Sequence, residues 1–179
     1  MAITGKPRAL LDHLGECWAT FFYVGRLPKA PGTFGSLAAL PCAWFLWTLP
    51  LPWAWFLVVL TFITGSLASS VVHRKTGVSD HQSIVIDEVV GIFVTTSVAE
   101  PQYWLHYLLA FVLFRFFDIS KPWPVSWIDQ KWHSPVGTMM DDLVASFMST
   151  GALFLCIHGP RIYEKLTAPL GSSAIIMSQ

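Results

Sequence analysis

Residues 30–72 contain no aspartate, glutamate, lysine or arginine. A membrane-spanning helix needs about 20 apolar residues, so this stretch is too long for one span and fits two. Pro50-Leu51-Pro52 interrupts it near the middle, and proline disfavours helix at the preceding residue. The sequence therefore predicts two apolar helices, over residues 36–49 and 53–72, joined by a bend.

The composition of the whole chain agrees with a membrane protein. Hydrophobic residues make up 54% of the 179 residues and charged residues only 12%, against about 25% in soluble domains. The formal net charge is zero, so no overall field attracts nucleic acid, and we expect a lipid bilayer rather than nucleic acid as the partner. This length predicts a single domain over residues 1–165, followed by a flexible tail over 166–179.

Four further segments have the length and apolar character of helices. Residues 9–24 place leucine and aromatic side chains at helical spacing, which is typical of an amphipathic helix on the membrane surface and equally of a helix packed against others. Apolar segments also occupy residues 84–99, 103–117 and 138–158. The fold prediction is an all-α, membrane-embedded bundle of about five membrane-associated helices plus the N-terminal amphipathic helix.

Acidic side chains occur at the ends of these apolar segments. Asp87 and Glu88 are adjacent within an apolar run, Asp118 closes the segment that begins at Tyr103, and Asp141 and Asp142 open the last segment. An ionised side chain among apolar ones is costly unless it is paired or coordinates a metal. Within a membrane segment such a residue indicates a functional site.

Charge in the connecting segments predicts where these acids lie. Positively charged connections stay on the cytoplasmic side of a membrane. Lysine and arginine occur in alternate connections, at Arg26/Lys29, Arg74/Lys75 and Lys121/Lys131, whereas the turns at 50–52 and 100–102 have none. All five acids and the loop over residues 25–36 are then expected at one depth, facing the cytoplasm.

Carboxylates gathered at one depth repel each other unless a cation lies between them. Hard oxygen ligands without a histidine or cysteine cluster suit Mg²⁺, which binds one or two carboxylates together with substrate phosphate. A purely structural alternative stays open, in which the acids only form ion pairs with basic residues. Those basic residues are Arg74, Arg115 and Lys121.

The loop over residues 25–36 has the composition of a phosphate-binding turn. It contains three glycines and two prolines, and Thr33 or Ser36 is expected to cap the helix that follows. Free amides at a helix N-terminus suit a phosphate, and Arg26 and Lys29 add positive charge. An ordinary capped loop without a ligand is the alternative.

Four ordered motifs carry a resemblance to a known family. They are P-x-x-P-G-T-x-G-S at 28–36, I-V-I-D-E-x-x-G at 84–91, F-R-x-F-D-x-x-K-P-W-P at 114–124 and G-x-M-M-D-D-x-x-A at 137–145. This order resembles phosphatidylglycerophosphatase A over about residues 21–155. The resemblance implies an all-helical, Mg²⁺-dependent lipid phosphatase of the bacterial inner membrane. Such an enzyme hydrolyses phosphatidylglycerophosphate to phosphatidylglycerol and inorganic phosphate.

The residues are consistent with that chemistry. The sequence has no Cys-x5-Arg phosphatase loop and no D-x-D-x-T/V nucleophile motif, and direct attack by metal-activated water remains. We expect five acids to supply the metal ligands and to include the candidate general base: Asp87, Glu88, Asp118, Asp141 and Asp142. Five other residues are expected to hold the phosphate: Lys29, Thr33, Ser36, Arg115 and Lys121. His81 and His133 are either proton carriers or solvated loop histidines.

A small divalent-cation transporter or channel subunit is the competing hypothesis. Transport sites usually lie near the bilayer midplane, whereas these acids are predicted near one interface beside a candidate phosphate loop. The sequence therefore favours the phosphatase.

Overall fold

The structure, a computed structural model, describes residues 5–78, 81–132 and 134–167. This part of the chain is helical and contains no strand, which agrees with the predicted all-α class. Short 3-10 turns cover Val24–Arg26 and Thr96–Val98. The α-helices are α1 (Gly5–Ala19), α2 (Pro31–Leu46), α3 (Leu51–Thr76), α4 (Ile86–Thr95), α5 (Trp104–Ser120), α6 (Val125–Lys131) and α7 (Pro135–Thr167).

Helix α4 lies at the centre of the bundle and contacts α2, α3, α5 and α7. Every residue from Ile86 to Thr95 is buried except Glu88, which is half-buried. A helix that is apolar on all sides is expected in such a place. Gly91 allows α5 to approach, because a Cβ at this position would lie 2.3 Å from the ring of Phe114. The two carboxylates of α4 therefore stand at one end of an otherwise apolar core helix.

Two helices are long and apolar enough to cross a membrane, namely α3 and residues Val136–Pro160 of α7. Helices α2 and α5 have 16 and 17 residues. At 1.5 Å per residue they extend about 24 to 26 Å, less than the roughly 30 Å of a bilayer core. The predicted division into two helices is confirmed, but the break covers residues 47–50, because α2 ends at Leu46 and α3 begins at Leu51.

Several predicted boundaries are wrong. Helix α2 begins at Pro31 with Ala30 as its N-cap, so Thr33 and Ser36 lie inside the helix and do not cap it. Proline suits the first helical position, because its missing N–H would have no partner there in any case. Residues 125–131, interpreted as loop, form α6, whose seven residues are too few to show a clear helical period.

The last helix extends beyond the predicted end at residue 158 and continues to Thr167. The predicted flexible tail over 166–179 therefore begins within α7, and its remainder lies outside the described residues, as does His133.

Helix α1 packs along α3 and also exposes an apolar face. Trp18 donates a hydrogen bond to Thr64, and Glu16 accepts hydrogen bonds from Lys75 and Arg26. These contacts hold the pKa of the Glu16 carboxyl below its usual range, with the Lys75 hydrogen bond contributing most. The outward face carries three exposed leucines: Leu10, Leu11 and Leu14. Both interpretations of this segment thus have a counterpart in the structure, and its place on a membrane surface stays a prediction.

The outer surface of the bundle is strongly apolar. Helix α3 exposes Phe56, Ile63 and Leu67, and α5 exposes Val112 and Phe116. Monomeric soluble proteins rarely expose contiguous apolar patches of this kind, and large ones mark membrane or protein contacts. The apolar surface is therefore consistent with a protein that is surrounded by lipid.

Candidate active site

A polar cavity of about 400 Å³ lies where four helix ends meet. The first turns of α2, α4 and α7 contribute Pro31, Asp87 and Thr138, and the end of α5 contributes Lys121. The remaining lining residues are Ala30, Gly32, Thr33, Gln82, Ile84, Glu88, Arg115, Asp118, Ile119, Asp141 and Asp142. Four segments that are distant in the sequence thus form one enclosure.

The five predicted acids all line this cavity, so the expectation that they converge is confirmed. Asp87, Glu88 and Asp142 approach one another most closely, with one carboxylate oxygen of each lying within 4.8 Å of the other two. Asp87 and Asp142 are only 5% and 7% exposed. Burial at this separation leaves their mutual repulsion poorly screened by water.

Arg115 neutralises one side of the acid cluster. Its Nη1 donates a hydrogen bond to Asp118 Oδ2 at 2.6 Å and lies 3.6 Å from Glu88 Oε1. The pair with Asp118 follows from their spacing of three residues, which places both on one face of α5. Arg115 and the two carboxylates are each less than one-fifth exposed, so this is a largely buried ion-pair group.

Gly32 allows the start of α2 to lie against this ion-pair group. A Cβ at residue 32 would lie 2.0 Å from Glu88 Oε1 and 3.2 Å from Arg115 Nη1. No larger side chain fits there without displacing the Glu88 carboxylate. The glycine in the Pro-Gly-Thr motif therefore makes room for the acids.

Lys121 pairs with a different acid of the cluster. Its Nζ donates to Asp141 Oδ2 at 3.0 Å and also to Asp129, which lies on α6. Partial burial disfavours the charged ammonium, but the hydrogen bonds to Asp129 and Asp141 outweigh this effect, and the pKa of Lys121 is raised above its usual range. These contacts therefore favour the charged ammonium of Lys121 at the cavity wall.

The positive charge at the cavity does not balance the negative charge. Five carboxylates line it against two cationic side chains, Arg115 and Lys121. Two buried carboxylate oxygens, Glu88 Oε2 and Asp141 Oδ1, have no hydrogen-bond partner among the described residues. Unpaired buried oxygens are costly, and an all-oxygen donor set is the one that Mg²⁺ prefers. The residues present thus fit a bound Mg²⁺ ion.

The predicted phosphate-binding residues divide into two groups. Arg115, Lys121 and Thr33 line the cavity. Lys29 is exposed and lies just outside it, next to Ala30. Ser36 is fully buried away from the cavity, and its hydroxyl donates to the Gly32 carbonyl at 2.8 Å.

Two lining residues with uncharged polar side chains, Gln82 and Thr138, are not predicted from the sequence. Thr138 occupies the variable second position of the G-x-M-M-D-D motif, and Gln82 lies in the polar segment before the acidic run. The residue type at neither position indicates by itself that the side chain lines a functional site. His81 donates to or accepts from Ser83 at 2.8 Å and does not line the cavity.

Helix orientation adds positive potential to the cavity. Residues in the first turns of α2, α4 and α7 line it, and each helix N-terminus carries the positive end of its helix dipole. Backbone amides at such ends bind phosphate groups. The cavity therefore combines oxygen ligands for a cation with features that suit a phosphate.

Comparison with known proteins identifies the family of the chain. The phosphatidylglycerophosphatase A family matches residues 17–157, which include every cavity-lining residue and all four motifs. The chain belongs to the phosphatidylglycerophosphatase A family. The resemblance stated from the motifs is thereby confirmed.

Three similar proteins align with most of the chain. A protein of Escherichia coli strain K12 named phosphatidylglycerophosphatase A is 37% identical over 155 residues, covering 86% of this chain and 89% of its own length. A Haemophilus influenzae protein of the same name is 38% identical over 151 residues, covering 83% and 91%. A Bacteroides thetaiotaomicron protein provisionally named as a phosphatidylinositol-3-phosphatase is 36% identical over 142 residues, covering 73% and 85%. No solved structure matches the chain.

Replacing Arg115 by methionine should destabilise this family member strongly. Removal of one partner of a buried ion pair leaves uncompensated charge, here on Glu88 and Asp118, at a cost of about 3 kcal/mol. The matched control is Arg26→Met, because Arg26 is 52% exposed in its pair with Glu16 and such pairs contribute only about 0–1 kcal/mol. Thermal unfolding of both variants in detergent measures the difference. Equal, small shifts in Tm would contradict the buried ion-pair interpretation.

Proposed function

We propose that the protein is a phosphatidylglycerophosphatase that releases inorganic phosphate from phosphatidylglycerophosphate during phosphatidylglycerol synthesis. The observation that carries this proposal is the convergence of five carboxylates and three helix N-termini on one cavity in a member of this family. The printed names of the Escherichia coli and Haemophilus influenzae relatives support the substrate.

Mg²⁺ is the proposed cofactor, and Asp87, Glu88 and Asp142 are its proposed ligands. Their oxygens are close enough to surround one ion, and the unpartnered Glu88 Oε2 is available to it. When bound, Mg²⁺ supplies a Lewis acid for the phosphoryl group and a means of activating the attacking water. Asp118 and Asp141 border the same cavity and are held by Arg115 and Lys121, so they keep the ligand group in place.

The phosphate is proposed to be held by the cations and helix ends around the acids. Arg115 and Lys121 carry N–H donors at the cavity wall, and Thr33, in the first turn of α2, lines the same cavity. The acidic cluster supplies the general base, because a carboxylate beside the phosphate can accept a proton from the attacking water.

A terminal phosphate on a glycerol headgroup can enter this cavity while the acyl chains remain in lipid. A phosphodiester has its phosphorus covered by substituents on both sides. We therefore propose that phosphatidylglycerol, the product, is not hydrolysed.

The proposed membrane arrangement places the cavity at the cytoplasmic face of the bacterial inner membrane. Helices α3 and α7 are proposed to cross the bilayer, with the shorter α2, α4 and α5 embedded beside them. This arrangement retains the five membrane-associated helices expected from the sequence. The exposed leucines of α1 are proposed to rest in the interface.

Phosphate release by the purified protein tests the activity. We expect Mg²⁺-dependent release from phosphatidylglycerophosphate, loss of release in EDTA, and little or no hydrolysis of phosphatidylglycerol. Phosphatidylinositol 3-phosphate serves as a comparison substrate because of the third relative's name. A variant with Cys17, Cys42 and Cys156 all changed to serine should keep its rate, since the proposed mechanism uses no thiol. Turnover that does not need a metal would overturn the mechanism, and absence of release under any metal would favour cation transport.

Replacement of the acids tests the site itself. Asp87→Asn, Asp118→Asn and at least one of Asp141→Asn and Asp142→Asn should lower the rate at least ~10²-fold, the scale of a lost catalytic group. Each change keeps the size of the side chain and removes its charge. Glu100→Gln, in the turn beyond α4, is the matched control and should retain the rate. Near-normal rates in all the cavity variants, with Tm retained, would leave only a structural role for the acids.

Cysteine labelling tests the orientation. In the cysteine-free background, a cysteine replacing Lys29 or Gln82 should resist an impermeant maleimide applied from the periplasm, and one replacing Leu51 or Gln102 should react. All four replaced residues are exposed in the fold, so a difference in labelling would come from the side of the membrane on which each one lies. Reaction of both groups from the same side would contradict the arrangement.

A further inference from the structure

Asp129 lies beside the cavity without lining it. It belongs to α6, which the sequence did not predict, and its carboxylate accepts a hydrogen bond from Lys121 Nζ. Lys121 in turn lines the cavity and also bonds Asp141 on α7. Two carboxylates from different helices therefore hold one amine at the cavity wall.

The lysine side chain needs such a second contact in order to stay in one place. Its four-carbon stem has large rotamer freedom, and ordering it costs conformational entropy. Lys121 also stands at the end of α5 with a left-handed backbone (φ 40°), directly before Pro122. Asp141 alone fixes the amine at one point, and Asp129 fixes it from a second direction.

This geometry leaves the amine able to bind substrate. An ammonium group has three N–H donors, and the contacts with Asp129 and Asp141 use two of them. The third donor can reach an oxygen of a phosphate in the cavity. Asp129 itself is 39% exposed, so its role is to orient Lys121 rather than to fill the core.

We propose that Asp129 is a positioning residue, which holds Lys121 Nζ in the direction from which it binds the substrate phosphate. The proposal deepens the proposed function and depends on it, because Lys121 is useful in this way only if a phosphate enters the cavity. Asp129 acts through Lys121 and makes no contact with substrate.

A double-mutant cycle on kcat/KM for phosphatidylglycerophosphate tests this role. Lys121→Met should lower kcat/KM roughly 10²-fold, and Asp129→Asn should lower it roughly 10-fold, since a misplaced group loses part of its effect. In the Lys121→Met background, Asp129→Asn should have no further effect, because residues that act as a unit are not additive. Asp129→Glu should recover part of the loss, since it restores the charge.

Asp12→Asn is the matched control for Asp129→Asn. Asp12 is also 39% exposed and also pairs with a basic residue, Arg74, but it lies on α1 and does not border the cavity. It should leave kcat/KM at the wild-type value. Thermal unfolding of each variant confirms that the folded protein is being compared.

The outcomes separate the two proposals. A wild-type protein that releases no phosphate overturns the proposed function and the role of Asp129 with it. The positioning role alone is overturned if the wild type is active and Asp129→Asn has a near-normal kcat/KM. It is also overturned if the fold-losses in kcat/KM from Asp129→Asn and Lys121→Met multiply in the double variant.

Discussion

The burial of several carboxylates at one end of an apolar core is the constraint on which the rest of this structure depends. Asp87 and Glu88 open α4, the helix that all the longer core helices surround. Like charges in a poorly hydrated place repel strongly, and an ionised group there must be paired or bound to a metal. The surrounding elements supply what the acids require: Arg115 from α5, Lys121 beyond its end, and three helix N-termini.

The same constraint explains how closely the elements approach one another. Gly32 brings the start of α2 onto the Glu88 and Arg115 side chains, and Gly91 brings α5 onto α4. Both contacts exclude a β-carbon. The ion-pair group is thus held by backbone that lies directly against it, which keeps the carboxylates close together despite their repulsion.

A lipid phosphomonoester has a charged headgroup that suits the polar cavity and acyl chains that suit the apolar exterior. The cavity is lined largely by charged groups, whereas the outward faces of α3 and α5 carry aromatic and aliphatic side chains. A lipid whose headgroup reaches the cavity can keep its acyl chains against such a surface. The proposed activity therefore needs both regions, and neither one alone would select a membrane-bound phosphate ester.

The sequence by itself determined the helical class, the division of the charge-free run into two helices, the family, and the identity of the five acids at the cavity. The family is readable from four ordered motifs, and the other features are readable because they depend on local composition. A long charge-free run, a proline-rich bend and a carboxylate in an apolar segment each have a physical meaning without knowledge of distant neighbours.

Only the tertiary structure decided which groups meet in space. In the fold Ser36 is buried in the core and Lys29 lies just outside the cavity. Gln82 and Thr138 line the cavity, and Lys121 donates a hydrogen bond to Asp129. Helix α6 is too short for its periodicity to be recognised, and the direction of a polar side chain depends on how helices that are distant in sequence pack together. Residue type marks a group that is able to do chemistry, but packing decides whether that group reaches the site.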